Sequence, residues 1–222
     1  MSFFESIPWC AAMLQKPGVV TFTPMARMAA DASGNRASRD QLFRTTLGAE
    51  NAIPNYIGLY QTPFSDPARL TLLPTLASHS PEDSGQPSKL LIDTVSLLID
   101  LQPGVNGYTG TTHGGLIAAL LDEAMGCLLF FNGQVQRDMR ERGLSVPSSV
   151  VYLSNEDPIF TASVAVKYIR PITTPQVVVA AATLKRIEKG RKFFLGYDIR
   201  GDDGVVFASG EGLWISARRE KL

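Results

Sequence analysis

Tyr108-Thr109-Gly110-Thr111-Thr112-His113-Gly114-Gly115-Leu116-Ile117-Ala118-Ala119-Leu120-Leu121-Asp122-Glu123-Ala124-Met125-Gly126-Cys127-Leu128-Leu129-Phe130-Phe131 is the stretch that decides the fold of this 222-residue chain. A polar, glycine-rich turn opens a helix that is apolar on nearly every face. Such a helix belongs in a core. Two carboxylates, Asp122 and Glu123, stand in its middle. Desolvating a charge is costly, so an acid there needs a partner or a function.

The texture of the chain changes near residue 88. Beyond it, β-branched runs separated by turn signals predict strands at 90–101, 146–153, 160–169, 176–187, 191–200 and 205–216. Gln102-Pro103-Gly104, Arg170-Pro171, Glu188-Lys189-Gly190 and Gly201-Asp202-Asp203-Gly204 punctuate them. Residues 132–143 are polar and charged, and read either as a continuation of the helix or as a surface loop. One strand, one long buried helix, then four or five antiparallel strands joined by hairpins make an α+β layout. When the helix is apolar all round, the sheet must curl about it, which is the hot-dog arrangement. Residues 89–222 are read as this domain, and 1–88 as an N-terminal extension and Pro-rich linker. Within the extension, 8–14 and 40–47 have helical patterns and 62–88 reads as loop.

Lysines plus arginines number 21, as do aspartates plus glutamates, and no basic run of five or more occurs. That balance argues against a nucleic-acid partner. Cys10 and Cys127 are far apart, which fits a reducing compartment and makes neither a disulfide framework nor a metal-ligand cluster. No metal and no cofactor is expected. The N-terminus lacks the charged region and unbroken apolar run of a secretory signal. Early arginines are few, so the expectation is cytoplasmic, with a mitochondrial location left open. The run 116–131 is short for a bilayer and charged at its middle, so no membrane span is expected.

Thr111 or Thr112 can cap the helix, and the glycines let a ligand approach the backbone closely. The free N–H groups of the first turn, aided by the helix dipole, suit an oxyanion or carbonyl oxygen. Acyl transfer needs such donors where negative charge develops. It also needs a group that activates water or attacks the carbonyl, and Asp122 is the candidate. Gly115 and Asp122 are seven residues apart, roughly 10 Å along the axis. One helix therefore cannot place its own donors and its own acid on the same carbon. If both act, they come from two copies across a two-fold axis, so this reading requires a homodimer.

Each residue has a plainer alternative. Asp122 could be a buried acid bonded to a neighbouring strand. Glu123 lies about 100° round the helix and points to a dimer contact, a structural partner or the substrate. His113 could cap or orient the loop. Arg191 and Lys192 follow a turn, and form either a solvated edge or a nucleotide-phosphate contact. His79 falls in the loose linker. The G-x-S-x-G pattern of a nucleophile elbow is absent.

His113-Gly114-Gly115, with Ala118 and Asp122 following, resembles the hot-dog acyl-CoA thioesterases of the phenylacetate-degradation type. The run 161–172, Thr-Ala-Ser-Val-Ala-Val-Lys-Tyr-Ile-Arg-Pro-Ile, is similar to a strand of mammalian acyl-CoA thioesterase superfamily member 4. Gly190-Arg191-Lys192-Phe193-Phe194 is similar to its following hairpin. The likeness covers about 90–217, and the Ile7-Pro8-Trp9-Cys10 start resembles extensions of fungal members. The resemblance implies that Asp122 is the catalytic acid, as nucleophile or as general base on water. It implies that Gly114 and Gly115 form the oxyanion region with His113 beside it, and that Thr161 helps place the attacking water from across the dimer. Related enzymes often carry an Asn six residues before the His; here Gly107 stands there, with Asn106 one residue earlier. A loop shift would restore Asn106 as a contact to the thioester carbonyl. The charged 132–143 segment is long for the family and would shape substrate access.

Together these residues predict a hydrolase of acyl-CoA or acyl-carrier-protein thioesters, working as a homodimer with a tetramer left open, in lipid or polyketide metabolism. The alternatives are a hot-dog dehydratase or hydratase, and a non-catalytic acyl-thioester-binding module.

Overall fold

The computed structural model describes residues 2–28, 40–63, 88–153 and 158–217. The apolar stretch forms the middle of a helix, α2 (Gly114–Glu141), 28 residues long. At 1.5 Å per residue it is about 42 Å long. It continues well past Phe131, so residues 132–141 are helix rather than loop. By length and composition it could cross a membrane, but 61% of its most apolar window is buried within the fold.

An antiparallel sheet curls around α2. Its strands are β1 (Val19–Phe22), β2 (Tyr56–Gln61), β3 (Thr94–Leu101), β6 (Ile159–Tyr168), β7 (Gln176–Glu188), β8 (Lys192–Arg200) and β9 (Val206–Ser216). They run in the order β1-β2-β3-β7-β8-β9-β6. A separate ribbon of β4 (Asn106–Tyr108) and β5 (Thr111–Thr112) leads into the helix. This is the hot-dog fold, α+β as the sequence predicts.

The pleat explains the core. Val95, Leu97, Ile99 and Leu101 alternate along β3, and Phe193, Leu195, Tyr197 and Ile199 along β8. All of them face inward and join Leu120, Leu121, Ala124, Met125 and Leu128 of α2 in one cluster. Each large side chain buried there contributes about 1.5–3 kcal/mol. The outer face has a second cluster. Phe4 and a short helix, α1 (Pro8–Leu14), cover Leu59, Leu98 and Val179 with the help of Cys10.

Several elements depart from the sequence reading. Two strands arise before residue 62, where none is predicted, and both pair onto β3 in sequence: β1 with β2, and β2 with β3. Their apolar runs are too short to stand out between proline and glycine breaks. The 40–47 pattern becomes a single π-helical turn, Leu42–Thr46. The predicted strand at 90–101 starts only at Thr94, and 146–153 makes only a single β-bridge, Val150 with Lys89. In both places buried amides of α2 take over the role of a pairing strand. Asn132 accepts from Ile92 N–H at 2.8 Å and donates to Ile92 C=O at 2.9 Å. Gln136 donates to Val151 C=O at 2.9 Å and accepts from Leu153 N–H at 3.0 Å. Backbone satisfied by a side chain has no need of a ladder. Finally, β6 does not turn back onto β7. It crosses to the far edge and pairs with β9, so only β7-β8-β9 is a run of hairpins. Most of the 62–88 loop, with His79, lies outside the described residues.

Candidate active site

The helix start is assembled from three fastenings. His113 N–H donates to Val105 C=O at 2.9 Å, Thr112 N–H donates to Ile172 C=O at 2.9 Å, and Thr174 N–H donates to Gly110 C=O at 3.2 Å. Thr111 and Thr112 are thereby held in β5, and neither caps the helix. The N-cap is His113, whose Nδ1 accepts from Gly115 N–H at 2.9 Å. Nδ1 is therefore the unprotonated ring nitrogen. The ring folds back so closely that a Cβ on Gly115 would lie 3.0 Å from Nδ1, and one on Gly107 would lie 2.6 Å from Cδ2. In this chain a side chain at Gly107 would meet the histidine.

Of the two glycine donors, only one is free. Gly115 N–H is taken by His113, whereas Gly114 N–H has no acceptor among the described residues. Asn106 Oδ1 accepts from Thr174 Oγ1 at 2.6 Å, which ties its carboxamide to the loop before β7. Beside Gly114 opens a cavity of about 320 Å³, lined by Thr111, Thr112, Ile117, Tyr168, Arg170 and Ile172 among others. Thr112 is 4% exposed, and its Oγ1 is buried without a hydrogen-bond partner.

Two turns further on, Asp122 is half-buried and faces β6. Thr161 Oγ1 donates to Asp122 Oδ1 at 2.9 Å. Burial raises the Asp122 pKa above the ordinary carboxylate value, and the Thr161 bond pulls it partly back. The threonine and the acid thus meet within one chain. The reason is the crossing of β6, which brings its inward face against the middle of the helix.

Glu123 points elsewhere. Its neighbours are Asp40, Tyr56 and Cys127, on the side where the N-terminal segment packs. Burial, then Asp40 and Asp122, push its carboxyl up to about 8. Its Oε2, the Tyr56 hydroxyl and Arg27 Nε are all buried without partners. Arg191 and Lys192 lie at the β7–β8 turn, with Lys192 opposite Ile215, next to the Phe193–Trp214 and Trp214–Thr161 pairs. Phe193 is buried against the helix, so alternation puts Lys192 on the outer face. The structure brings neither basic residue to the cavity at Gly114.

Sequence reasoning did not single out Tyr168 or Arg170. The available signal was the end of the strand at 160–169, where an aromatic is followed by Arg170-Pro171. Its meaning depends on where β6 ends relative to α2.

This geometry can be set beside known proteins. Residues 109–208 match the family model of the Thioesterase superfamily. This segment of the chain is similar to that family. Verlamelin biosynthesis protein B of Lecanicillium sp. is 27% identical over 227 aligned residues, which cover 97% of this chain and 87% of that protein. A thioesterase superfamily protein of known crystal structure is 24% identical with a TM-score of 0.41, over 55% of this chain and 51% of its own. The chain thus spans about half of that protein. The E. coli PaaI protein from the phenylacetic acid degradation operon is 12% identical with a TM-score of 0.43, over 59% of this chain and 80% of its own.

Proposed function

We propose that this chain is a member of the thioesterase superfamily and hydrolyses acyl thioesters of CoA or of an acyl carrier protein, as a homodimer of the phenylacetate-degradation type. One observation carries the reading. Two parts of an acyl-transfer site lie on one helix and are too far apart to meet within it. Gly114 N–H stands free at the helix start beside a cavity. Asp122, eight residues on, is about 12 Å away along the axis and is held by Thr161. A two-fold axis that sets two such helices antiparallel would put Asp122 of each subunit beside Gly114 of the other.

The free edge of the sheet supports such an axis. Among the described residues β6 pairs only with β9, leaving its other edge open. Phe160 and Tyr168 on that strand, and Ile169 just after it, are 59%, 54% and 45% exposed. An edge strand with exposed apolar side chains invites strand addition, and a second copy of β6 would satisfy it.

In the mechanism the thioester carbonyl oxygen accepts from Gly114 N–H, where the helix dipole stabilises the developing negative charge. The partner's carboxylate removes a proton from water as the water attacks the carbonyl carbon. In the other course the carboxylate attacks that carbon itself, and water then cleaves the resulting anhydride, which frees the carboxylate and supplies the proton for the thiol. The thiolate of CoA or of the carrier leaves with a proton. Commitment of His113 Nδ1 to the Gly115 amide supports a backbone-holding role for the histidine over proton transfer at carbon. The name of one relative, a verlamelin biosynthesis protein, supports a biosynthetic setting.

Release of free thiol from short, aromatic and long acyl-CoA and acyl-carrier thioesters tests the proposal. The wild type should turn over at least one class, and Asp122→Ala, folded by circular dichroism, should lose at least ~100-fold in kcat. An Asp122→Ala protein with full activity refutes the mechanism, and a wild type inert on the whole panel refutes the function.

A further inference from the structure

Two adjacent glycines are a poor foundation for an oxyanion site. Without a Cβ, both φ and ψ wander freely, and a wandering N–H is not preorganised. In this chain the peptide between Gly114 and Gly115 is gripped on both sides. Its N–H donates to His113 Nδ1 at 2.9 Å. Its C=O accepts from the Tyr168 hydroxyl at 2.8 Å.

That second grip spans 54 residues of sequence. Tyr168 is the last residue of β6 and reaches the helix start with its hydroxyl. Its ring lies over Gly114, where an added Cβ would be 3.5 Å from Cε1 and 3.6 Å from Cζ and Oη. The side chain of Tyr168 also lines the cavity, yet the residue is 54% exposed, so burial of its ring does not account for its placement. The same strand carries Thr161, which donates to Asp122. One strand thus sends a hydroxyl to each of the two working points of the helix.

Resting on the thioesterase reading, we propose that Tyr168 is a positioning residue for the oxyanion site. Its hydroxyl, acting through the Gly114–Gly115 peptide, holds the neighbouring Gly114 N–H on the thioester oxygen, while its ring walls the cavity beside that oxygen. Tyr168 and His113 hold one peptide from opposite sides, so their effects on turnover are coupled.

Tyr168→Phe removes the hydroxyl and keeps the wall. It should lower kcat ~10-fold and leave KM within about twofold, because a developing oxyanion gains more from an ordered donor than a ground-state carbonyl does. A non-hydrolysable thioether analogue of the best substrate should bind Tyr168→Phe as tightly as it binds the wild type. Tyr168→Leu, lacking both features, should also raise KM. In a His113→Ala, Tyr168→Phe double variant, the loss in kcat should be less than the product of the two single losses. Full kcat in Tyr168→Phe, or a loss seen only in KM, overturns the positioning role while leaving thioesterase activity standing. A folded wild type that cleaves no thioester overturns both.

Discussion

A hydroxyl that donates to a carboxylate favours its charged form, and the Thr161–Asp122 bond is such a contact. Burial works in the opposite direction and wins, so the acid titrates above its ordinary range. Removing the hydroxyl leaves desolvation unopposed. Thr161→Val should therefore raise the Asp122 pKa further and move the acid limb of the kcat/KM profile to higher pH, with the alkaline side unchanged. The shift is read from pH–rate profiles of the two proteins on one thioester. An unmoved limb would mean that Asp122 is not the group whose ionisation is seen. At this scale the sequence was informative about Asp122 and His113, because an acid in a buried helix and a histidine before two glycines are locally unusual. It was silent on the Gly115 amide, which the histidine occupies, since that depends on a ring torsion.

The central helix shows how one element settles several others. Its apolar face is legible from spacing, but its polar interior residues are not. Asn132 and Gln136 are fully buried, and each closes hydrogen bonds on a segment that would otherwise seek a strand partner. That is why β-branched residues at 146–153 do not form a strand and why β3 starts late. Asn132→Ala would leave both the N–H and C=O of Ile92 without their side-chain partner in a dry interior. The expected cost is about 2–6 kcal/mol, at about 1–3 kcal/mol per unsatisfied group. Urea unfolding should show the midpoint falling with little change in slope. A loss below about 0.5 kcal/mol would mean that water replaces the amide. The N-terminal strands β1 and β2 were missed for a related reason. Strand identity in short runs comes from the neighbour they pair with; that of β1 is β2 and that of β2 is β3, each more than thirty residues further along.

The dimer belongs to the scale of the whole molecule, and complementation tests it. Gly114→Pro deletes the free donor at the first helical position, where proline is tolerated, and His113 already has the extended backbone that a following proline requires. Gly114→Pro and Asp122→Ala should each be inactive alone. Mixed after unfolding and refolding together, they should regain about a quarter of wild-type activity, since half of the dimers are mixed and each holds one intact site. No recovery would place the donor and the acid of each site on one subunit.

By itself the sequence determined the long core helix, the run of hairpins after it and the acid at its centre. These follow from periodicity and from the cost of burying charge, both of which act over a few residues. Only the tertiary structure decided that β6 crosses to the far edge of the sheet. That one crossing sets Thr161 against Asp122 and Tyr168 against Gly114, in the same chain. Contacts of 39 and 54 residues' separation depend on how strands are ordered in the sheet, which no local pattern encodes.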